Sequence, residues 1–494
     1  MALFVGIDIG TTHVKIIAAN ELSAVVCEEK ASYSMYQPQD GYGEQDADEI
    51  FNALLNVFKK ISTKINTREI AAVCFSAAYH SILAVDKDGK PLTPLMTWAD
   101  TRSNDYAKHL KKSGQARSIY LKTGVPVHPM SPLCKIAWIR DQQPDVFEKA
   151  FKFISMKEYA WYKLFGKYQV DHYIASATGL FNSKELIWCD EALAFCGINP
   201  DHLSEPVPVL HTETGLKENY RQQWNLHEDV RFVAGAGDGA TANLGCGALS
   251  PRIAALTIGT SGAIRVVTEK PIQDDKGSIF SYILAGNLFI NGGAINNGGI
   301  ALQWFLQTFL QKQSASENDY EWMFKEIADV KKGADGLLFL PYIFGERAPV
   351  WDADAKGAFI GIRSSHTLKH FMRAVIEGIC LSLLQVLDNI EGKSPVDVIY
   401  ATGGFTQSEL WLQLLADILN KKIYVLNTAD ASAMGAIYMA MHAKGVIQDW
   451  DDVKRFAVVQ KEFIPAGDRE KIYSDHIRIF SNLYDKLKED FDRL

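Results

Sequence analysis

The sequence predicts an α/β chain of two half-length lobes, and three observations carry that expectation. Residues 4–18, FVGIDIGTTHVKIIA, have the pattern of a hairpin: an apolar strand, a Gly-Thr-Thr turn and a second β-rich strand. Residues 254–267, AALTIGTSGAIRVV, repeat that pattern, and Gly10 and Gly259 of the two turns stand 249 residues apart in a chain of 494. A chain of this length favours two or more domains over one core. The boundary is expected at 245–251, GCGALSP, a Gly/Pro-marked break before the second hairpin, which gives lobes of 1–247 and 248–494.

In the first hairpin Asp8 precedes the turn and Lys15 follows it. A point-charge lysine and a carboxylate beside Gly10, Thr11 and Thr12 suit a nucleotide phosphate with Mg²⁺, which prefers hard oxygen ligands. From Asp46 to Ile65 apolar residues recur at Ile50, Leu54, Val57, Phe58 and Ile61, a helical period with Asp46 placed to cap it. Ile70–Ala78 is expected as a buried strand leading into Tyr79-His80. A turn at 86–89 follows, and then a segment ending in Trp98-Ala99-Asp100-Thr101-Arg102. Polar and aromatic residues bunched at strand ends are where ligands sit in open α/β sheets. Histidine and tryptophan are also common packed residues. Lys135 and Trp138 fall on a helix amphipathic through Ile136 and Ile139, where a structural role is expected, and 171–181 is a small-residue stretch.

Asp238 lies between glycines in GAGDGA, about twenty residues before the turn of Gly259 and Thr260. Glycine-rich turns bring backbone N–H groups together into anion-binding concavities. A carboxylate beside a phosphate is repelled unless a cation lies between them or the carboxylate does proton chemistry. Gly235, Gly237 and Ala240 also satisfy the dinucleotide fingerprint, but that motif wants an acidic residue about twenty positions on. None occurs between Asp238 and Glu269. Glycines that only make tight turns are the plain alternative. In the second half, the glycines and amides of 291–304 are expected to open a helix with exposed N–H groups. Glu346-Arg347 is expected to form an ion pair within its loop. ATGGF at 401–405 should end a strand and lead into a helix over 408–419. The charged, helix-rich tail 468–494 should pack on its lobe or serve assembly into a homodimer.

Composition excludes several classes. The chain is 47% hydrophobic and 22% charged, ordinary for a globular protein, and its net charge of −8 disfavours nucleic acid. Seven scattered cysteines without a CxxC pair argue for a reducing compartment and against a zinc site. No charged-then-apolar leader and no apolar run of membrane-spanning length is seen, so a cytoplasmic location is expected. Gly392-Lys393-Ser394 lacks the first glycine of a Walker A loop.

The segments D-I-G-T-T-x-x-K from Asp8 to Lys15, G-D-G around Asp238 and T-I-G-T-S resemble the phosphate-binding elements of the FGGY family of ATP-dependent sugar kinases, within the actin-like ATPase superfamily. Met130–Gln142, MSPLCKIAWIRDQ, and Gly357–Glu377, GAFIGIRSSHTLKHFMRAVIE, are similar to that family's two long signatures, and the likeness spans about residues 3 to 460. The resemblance implies two actin-like (ribonuclease H-like) lobes with mixed sheets flanking a central cleft that closes on the substrates. It implies ATP and Mg²⁺, with Asp8 and Asp238 holding the metal and Asp238 as catalytic base. Tyr79, His80, Asp100, Arg102, Asp238, Asn296 and Asn297 are implied as substrate-binding. Gly10, Thr11, Thr12, Lys15, Gly259, Thr260, Gly299, Gln303, Gly403, Gly404 and Ser408 are implied as nucleotide-binding. Arginine-glutamate stands at the Tyr79-His80 pair in the family's glycerol kinases, so glycerol is disfavoured. The clusters around Tyr79, Trp98, Asn296 and Arg347 look more like those of its gluconate-phosphorylating members. D-gluconate is the expected acceptor and D-xylulose the runner-up.

Overall fold

The computed structural model describes residues 2–312, 316–427, 430–491 and 493–494. Two compact units emerge: one of Met1–Leu249, Thr268–Ile290 and Thr428–Ala457, the other of Ser250–Val267, Asn291–Asn427 and Val458–Leu494. The opening segment of the first unit ends at Leu249, two residues past the break expected at 247/248 and ahead of the second hairpin at Ile253, and two later segments lie with the first unit.

In the first unit β1 (Leu3–Ile9), β2 (His13–Asn20) and β3 (Val25–Ser32) form an antiparallel meander. After β4 (Glu44–Gln45), helix α1 (Ala47–Ser62) starts where the Asp46 carboxylate accepts the Asp48 and Glu49 N–H groups. Its face of Ile50, Phe51, Leu54, Val57, Phe58 and Ile61 is buried in one core with Val5, Ile7, Val14 and Ile16. Strands β5 (Ile70–Ala77), β6 (Leu95–Met96), β7 (Thr212–Glu213) and β8 (Arg231–Gly237) and helix α2 (Asp238–Gly245) follow. The sheet runs β7-β8-β5-β1-β2-β3, with β1 and β8 both parallel to β5. Asp8 is the register partner of Ser76, and Ala236 flanks Ser76 from the other side. The carboxyl ends of three parallel strands therefore sit together. Near the end of β8 the register slips at Gly235, whose φ is 68°. A Cβ there would lie 1.7 Å from the Phe75 carbonyl oxygen, so this glycine serves a β-bulge.

In the second unit β9 (Ile253–Ile258) and β10 (Gly262–Thr268) form the repeated hairpin. Helices α3 (Gly299–Leu310) and α4 (Leu368–Glu391) precede β11 (Val398–Thr402), α5 (Glu409–Leu419), β12 (Lys422–Leu426) and β13 (Val459–Phe463). These strands run β10-β9-β11-β12-β13, with β9, β11 and β12 parallel. Thr257 faces Thr402 in the register that Asp8 and Ser76 hold in the first unit. Ile9 pairs with Val14 but Ile258 pairs with Gly262, so the second turn is one residue shorter.

Contrary to the sequence expectation, α4 is long and apolar enough to cross a membrane, but 83% of its most apolar window is buried. It is the core helix of its unit. The tail helix Arg469–Phe491 packs on the same unit, where the Tyr473 hydroxyl donates to Glu377 Oε1 at 2.9 Å.

The first unit is completed from late in the chain by α6 (Ala431–Ala443), capped by Asp430. It lies against β1 and α2 at backbone contact. A Cβ on Gly6 would stand 2.2 Å from the Ala433 carbonyl oxygen, and one on Gly435 would stand 1.8 Å from that of Thr241. Neither neighbour is a movable side chain. Gly435→Ala is expected to destabilise the protein by about 1–3 kcal/mol through overpacking. Chemical denaturation against Gly215→Ala, where an added Cβ meets nothing within 4 Å, checks it; equal midpoints would refute the packing account.

Candidate active site

At the ends of β1, β5 and β8 the fold gathers acidic and hydroxyl groups. Ser76 Oγ donates to Asp8 Oδ1 at 2.7 Å and lies 2.9 Å from Thr241 Oγ1 on α2. Asp8 is buried, and desolvation, Asp430 and Asp238 together drive its carboxyl group up to about 7, against the opposing pull of Ser76 and Lys15. Asp238 is the first residue of α2. Lys15 Nζ pairs with Asp430 Oδ2 at 2.9 Å, and the Asp430 side chain also accepts the Ala433 N–H at 3.1 Å. Ser432 Oγ donates to the Asp238 carbonyl oxygen at 3.3 Å. Asp8, Lys15 and Asp238 are thus brought together with α6.

One small cavity is lined by Ile9, Gly10, Thr11, Gln45, Tyr79 and Trp98, so the aromatic cluster and the first turn share a wall. His80 has φ 65°, and its Nε2 lies 3.4 Å from the Tyr282 hydroxyl. Tyr79, Tyr173 and Tyr282 stack edge to face, with centroids 5.4–5.9 Å apart. A Cβ on Gly237 would meet Tyr173 at 2.4 Å. The glycines that mimic a dinucleotide fingerprint therefore serve a bulge and a close approach. Lys135 is fully buried and donates to the carbonyl oxygens of His80, Thr97 and Met130 at 2.8, 2.5 and 2.8 Å, which bears out its structural role.

Asp100 is also fully buried. Its carboxylate accepts from the Gly43 N–H at 2.8 Å and from Arg102 Nε and Nη2 at 2.9 and 2.6 Å. Arg102 Nη2 reaches Glu44 Oε1 as well, at 2.5 Å, and its guanidinium lies 3.5 Å over the Tyr42 ring. Asp100 and Arg102 are thus engaged with each other and with the 42–44 segment.

In the second unit the nucleotide candidates converge. The N–H groups of Gly299 and Ile300 donate to the Gly259 and Thr260 carbonyl oxygens at 2.7 and 3.1 Å. These helix-opening N–H groups are therefore held by the turn rather than exposed, because Gly298 and Gly299 carry no Cβ to keep the backbones apart. Gly403, at φ 109°, passes against Ile258, and Gly404 opens the short helical turn that leads to Ser408. Ser408 caps α5, and Gln303 is exposed on α3. Further along, Glu346 is fully buried and pushed up to about 7 by desolvation. Its carboxylate accepts from the backbone N–H groups of Asn296 and Arg347 at 2.5 and 2.8 Å and from Asn297 Nδ2 at 3.1 Å. Arg347 Nε donates to Asn296 Oδ1 at 2.7 Å. Glu346 thus meets Arg347 through its backbone N–H, while the Arg347 guanidinium is directed to Asn296 Oδ1 and the Ile295 carbonyl oxygen; in place of the expected ion pair, the loop is held by this hydrogen-bond network, which Asn297 joins.

Residues 3–245 match the N-terminal domain of the FGGY family of carbohydrate kinases and residues 254–444 its C-terminal domain. The chain belongs to that family. A gluconokinase of Bacillus subtilis (strain 168) is 39% identical over 99% of this chain and 97% of its own length. A xylulose kinase of Staphylococcus epidermidis (strain ATCC 35984) is 30% identical over 98% and 97%. A crystal structure of gluconate kinase from Lactobacillus acidophilus superposes with a TM-score of 0.94 at 31% identity, covering 100% of this chain and 99% of that one.

As an FGGY kinase the chain is an ATP-dependent sugar kinase, and its two large mixed sheets match the two-domain structures of the family. Sequence reasoning missed Asp430 as the partner of Lys15, although an acidic residue before the small-residue run of α6 is a readable helix-start signal. It also missed Glu44 beside Arg102 and Tyr282 beside His80. Those pairings span 58 and 202 positions and leave no local pattern. Lys135→Met should keep the volume but orphan three carbonyl groups, lowering stability by about 3 kcal/mol or more. Denaturant unfolding together with faster amide exchange around 78–82 checks this; an unchanged midpoint would show that the three bonds contribute nothing.

Proposed function

We propose that this FGGY kinase transfers the γ-phosphoryl group of ATP to the terminal hydroxyl of D-gluconate, giving 6-phosphogluconate. The carrying observation is the greater whole-length likeness to a gluconokinase than to a xylulose kinase, over a chain matched from end to end. Phosphoryl transfer needs an aligned acceptor, neutralised phosphate charge and a base for the hydroxyl proton. Asp238 takes the base role. As its carboxylate accepts the proton, the acceptor oxygen bonds to the γ-phosphorus and the bond to the β–γ bridging oxygen breaks, releasing ADP. Tyr79 and His80 are assigned to the acceptor, with Lys135 and the Asp100–Arg102–Glu44 network holding that wall in shape. Gly10, Thr11, Thr12 and Lys15 are assigned to phosphate. In the second unit Gly259, Thr260, Gly299, Gln303, Gly403, Gly404 and Ser408 are assigned to the nucleotide.

Mg²⁺ fits the donor set at Asp8 and Asp238. Asp238 raises the cost of ionising Asp8, and a hard divalent cation would relieve that repulsion. When bound, it would neutralise phosphate charge. For an acceptor carboxylate, Asn296 and the Arg347 loop are the proposed donors, since a desolvated carboxylate must be hydrogen-bonded or paired. Cytoplasmic location and homodimeric assembly belong to the same proposal.

A coupled ATP-consumption assay over gluconate, xylulose, ribulose, fuculose, rhamnulose and glycerol tests the acceptor. Gluconate should lead in kcat/KM by about tenfold or more, because a site built around a polar group rejects analogues that lack it. A neutral sugar in first place would replace gluconate as the acceptor. Asp238→Asn nearly preserves shape while removing the proton acceptor, so kcat should fall by about 10² to 10⁴ with ATP still bound. Near-normal turnover of that variant would remove Asp238 from the base role.

A further inference from the structure

The acceptor atoms of the first phosphate turn are all occupied from within the protein. The Ile9 carbonyl oxygen accepts the Ala78 N–H at 2.8 Å, and that of Thr12 accepts the Tyr33 N–H at 3.2 Å. The Tyr33 hydroxyl donates to the Gly10 carbonyl oxygen, and Gln45 Nε2 donates to that of Thr11 at 2.7 Å. Trp98 Nε1 donates to Thr11 Oγ1 at 2.9 Å. Among the described residues no protein acceptor meets the backbone N–H groups of Thr11 and Thr12, while the Gly10 N–H is held by His13 at 3.0 Å. Such a turn presents donors, and a phosphate oxygen is attracted by donors and repelled by carbonyl lone pairs.

Gln45 is the side-chain donor to the Thr11 carbonyl oxygen among these supports. It is buried on β4, opposite Leu95 of β6, and its amide also reaches the Ser34 carbonyl oxygen at 3.4 Å. The same two-stranded ribbon leads into Trp98, so one element delivers both side-chain donors that hold Thr11. We propose that Gln45 is a positioning residue that makes the Gly10–Thr12 turn selective for phosphate by occupying the Thr11 carbonyl oxygen with a neutral donor. This rests on the assignment of that turn to ATP phosphates. Glutamate at 45 would set a carboxylate against the same carbonyl group and add negative charge beside the phosphate. Leucine would fill the space and leave the carbonyl group unpaired.

The test uses the full chain with Gln45→Glu and Gln45→Leu. KM for ATP should rise about tenfold or more for the glutamate and about threefold for the leucine variant, since charge opposes the phosphate and an unpaired carbonyl only misorients the turn. KM for gluconate should stay within about twofold. Calorimetric titration needs no sugar and so stands whatever the acceptor is: ADP affinity should fall in parallel with KM for ATP, and adenosine affinity should not change. A structural loss would weaken both ligands alike. Equal weakening of ADP and adenosine, unchanged ADP affinity in Gln45→Glu, or a change confined to gluconate would each overturn the role.

Discussion

Desolvation and the neighbouring Asp430 and Asp238 push the carboxyl group of Asp8 up to about 7, and the first unit is arranged so that this repulsion persists. Parallel pairing of β1 and β8 with β5 fixes the register that places Asp8 beside Ser76. Packing of α6 against Gly6 and Thr241 prevents the acidic groups from moving apart. Lys15 pairs with Asp430 at 2.9 Å, while Asp238 still opposes the ionisation of Asp8. Electrostatic strain of this kind is common where charge must later be neutralised by a ligand.

The parts legible in the sequence were those whose signal is local. The hairpin around Gly10, the Asp46 cap, the apolar stripe of α1 and the Ser408 cap follow from period and capping chemistry within a few residues. The resemblance then pointed to the strand ends at Asp8, Ser76 and Asp238, which the fold places side by side. What escaped was long-range. Nothing near Gln45 tells that its amide holds Thr11, and nothing near Asn297 tells that its amide is turned onto Gly345 and Glu346. The sequence shows no unbroken apolar run at α4 because Arg373 and Glu377 interrupt it, and the fold accommodates these two as a buried pair at 2.7 Å.

The two hairpins share a register but differ in charge. Where the first unit opposes Asp8 to Ser76, the second opposes Thr257 to Thr402, with hydroxyl oxygens 3.1 Å apart. Two neutral hydroxyl groups impose no desolvation penalty comparable to that of a buried carboxylate. The second turn is correspondingly simpler: one residue shorter, with its Gly259 and Thr260 carbonyl groups engaged by the start of α3. One supersecondary design therefore carries a buried carboxylate at the strand end in one unit and a pair of hydroxyl groups at the matching register in the other.

The return of α6 to the first unit has a consequence for biogenesis. A nascent chain that has passed Leu249 holds the whole six-stranded sheet, yet Gly6 and Thr241 still lack the helix that rests on them. That helix is completed only at Ala443, about 190 residues later, or roughly 10–40 s at ordinary translation rates. During that interval the back of β1 offers an apolar surface to the ribosome-bound chain's surroundings. Maturation of the acidic site is thereby tied to synthesis of α6, so translation products that stop before it would lack the helix whose cap, Asp430, pairs with Lys15.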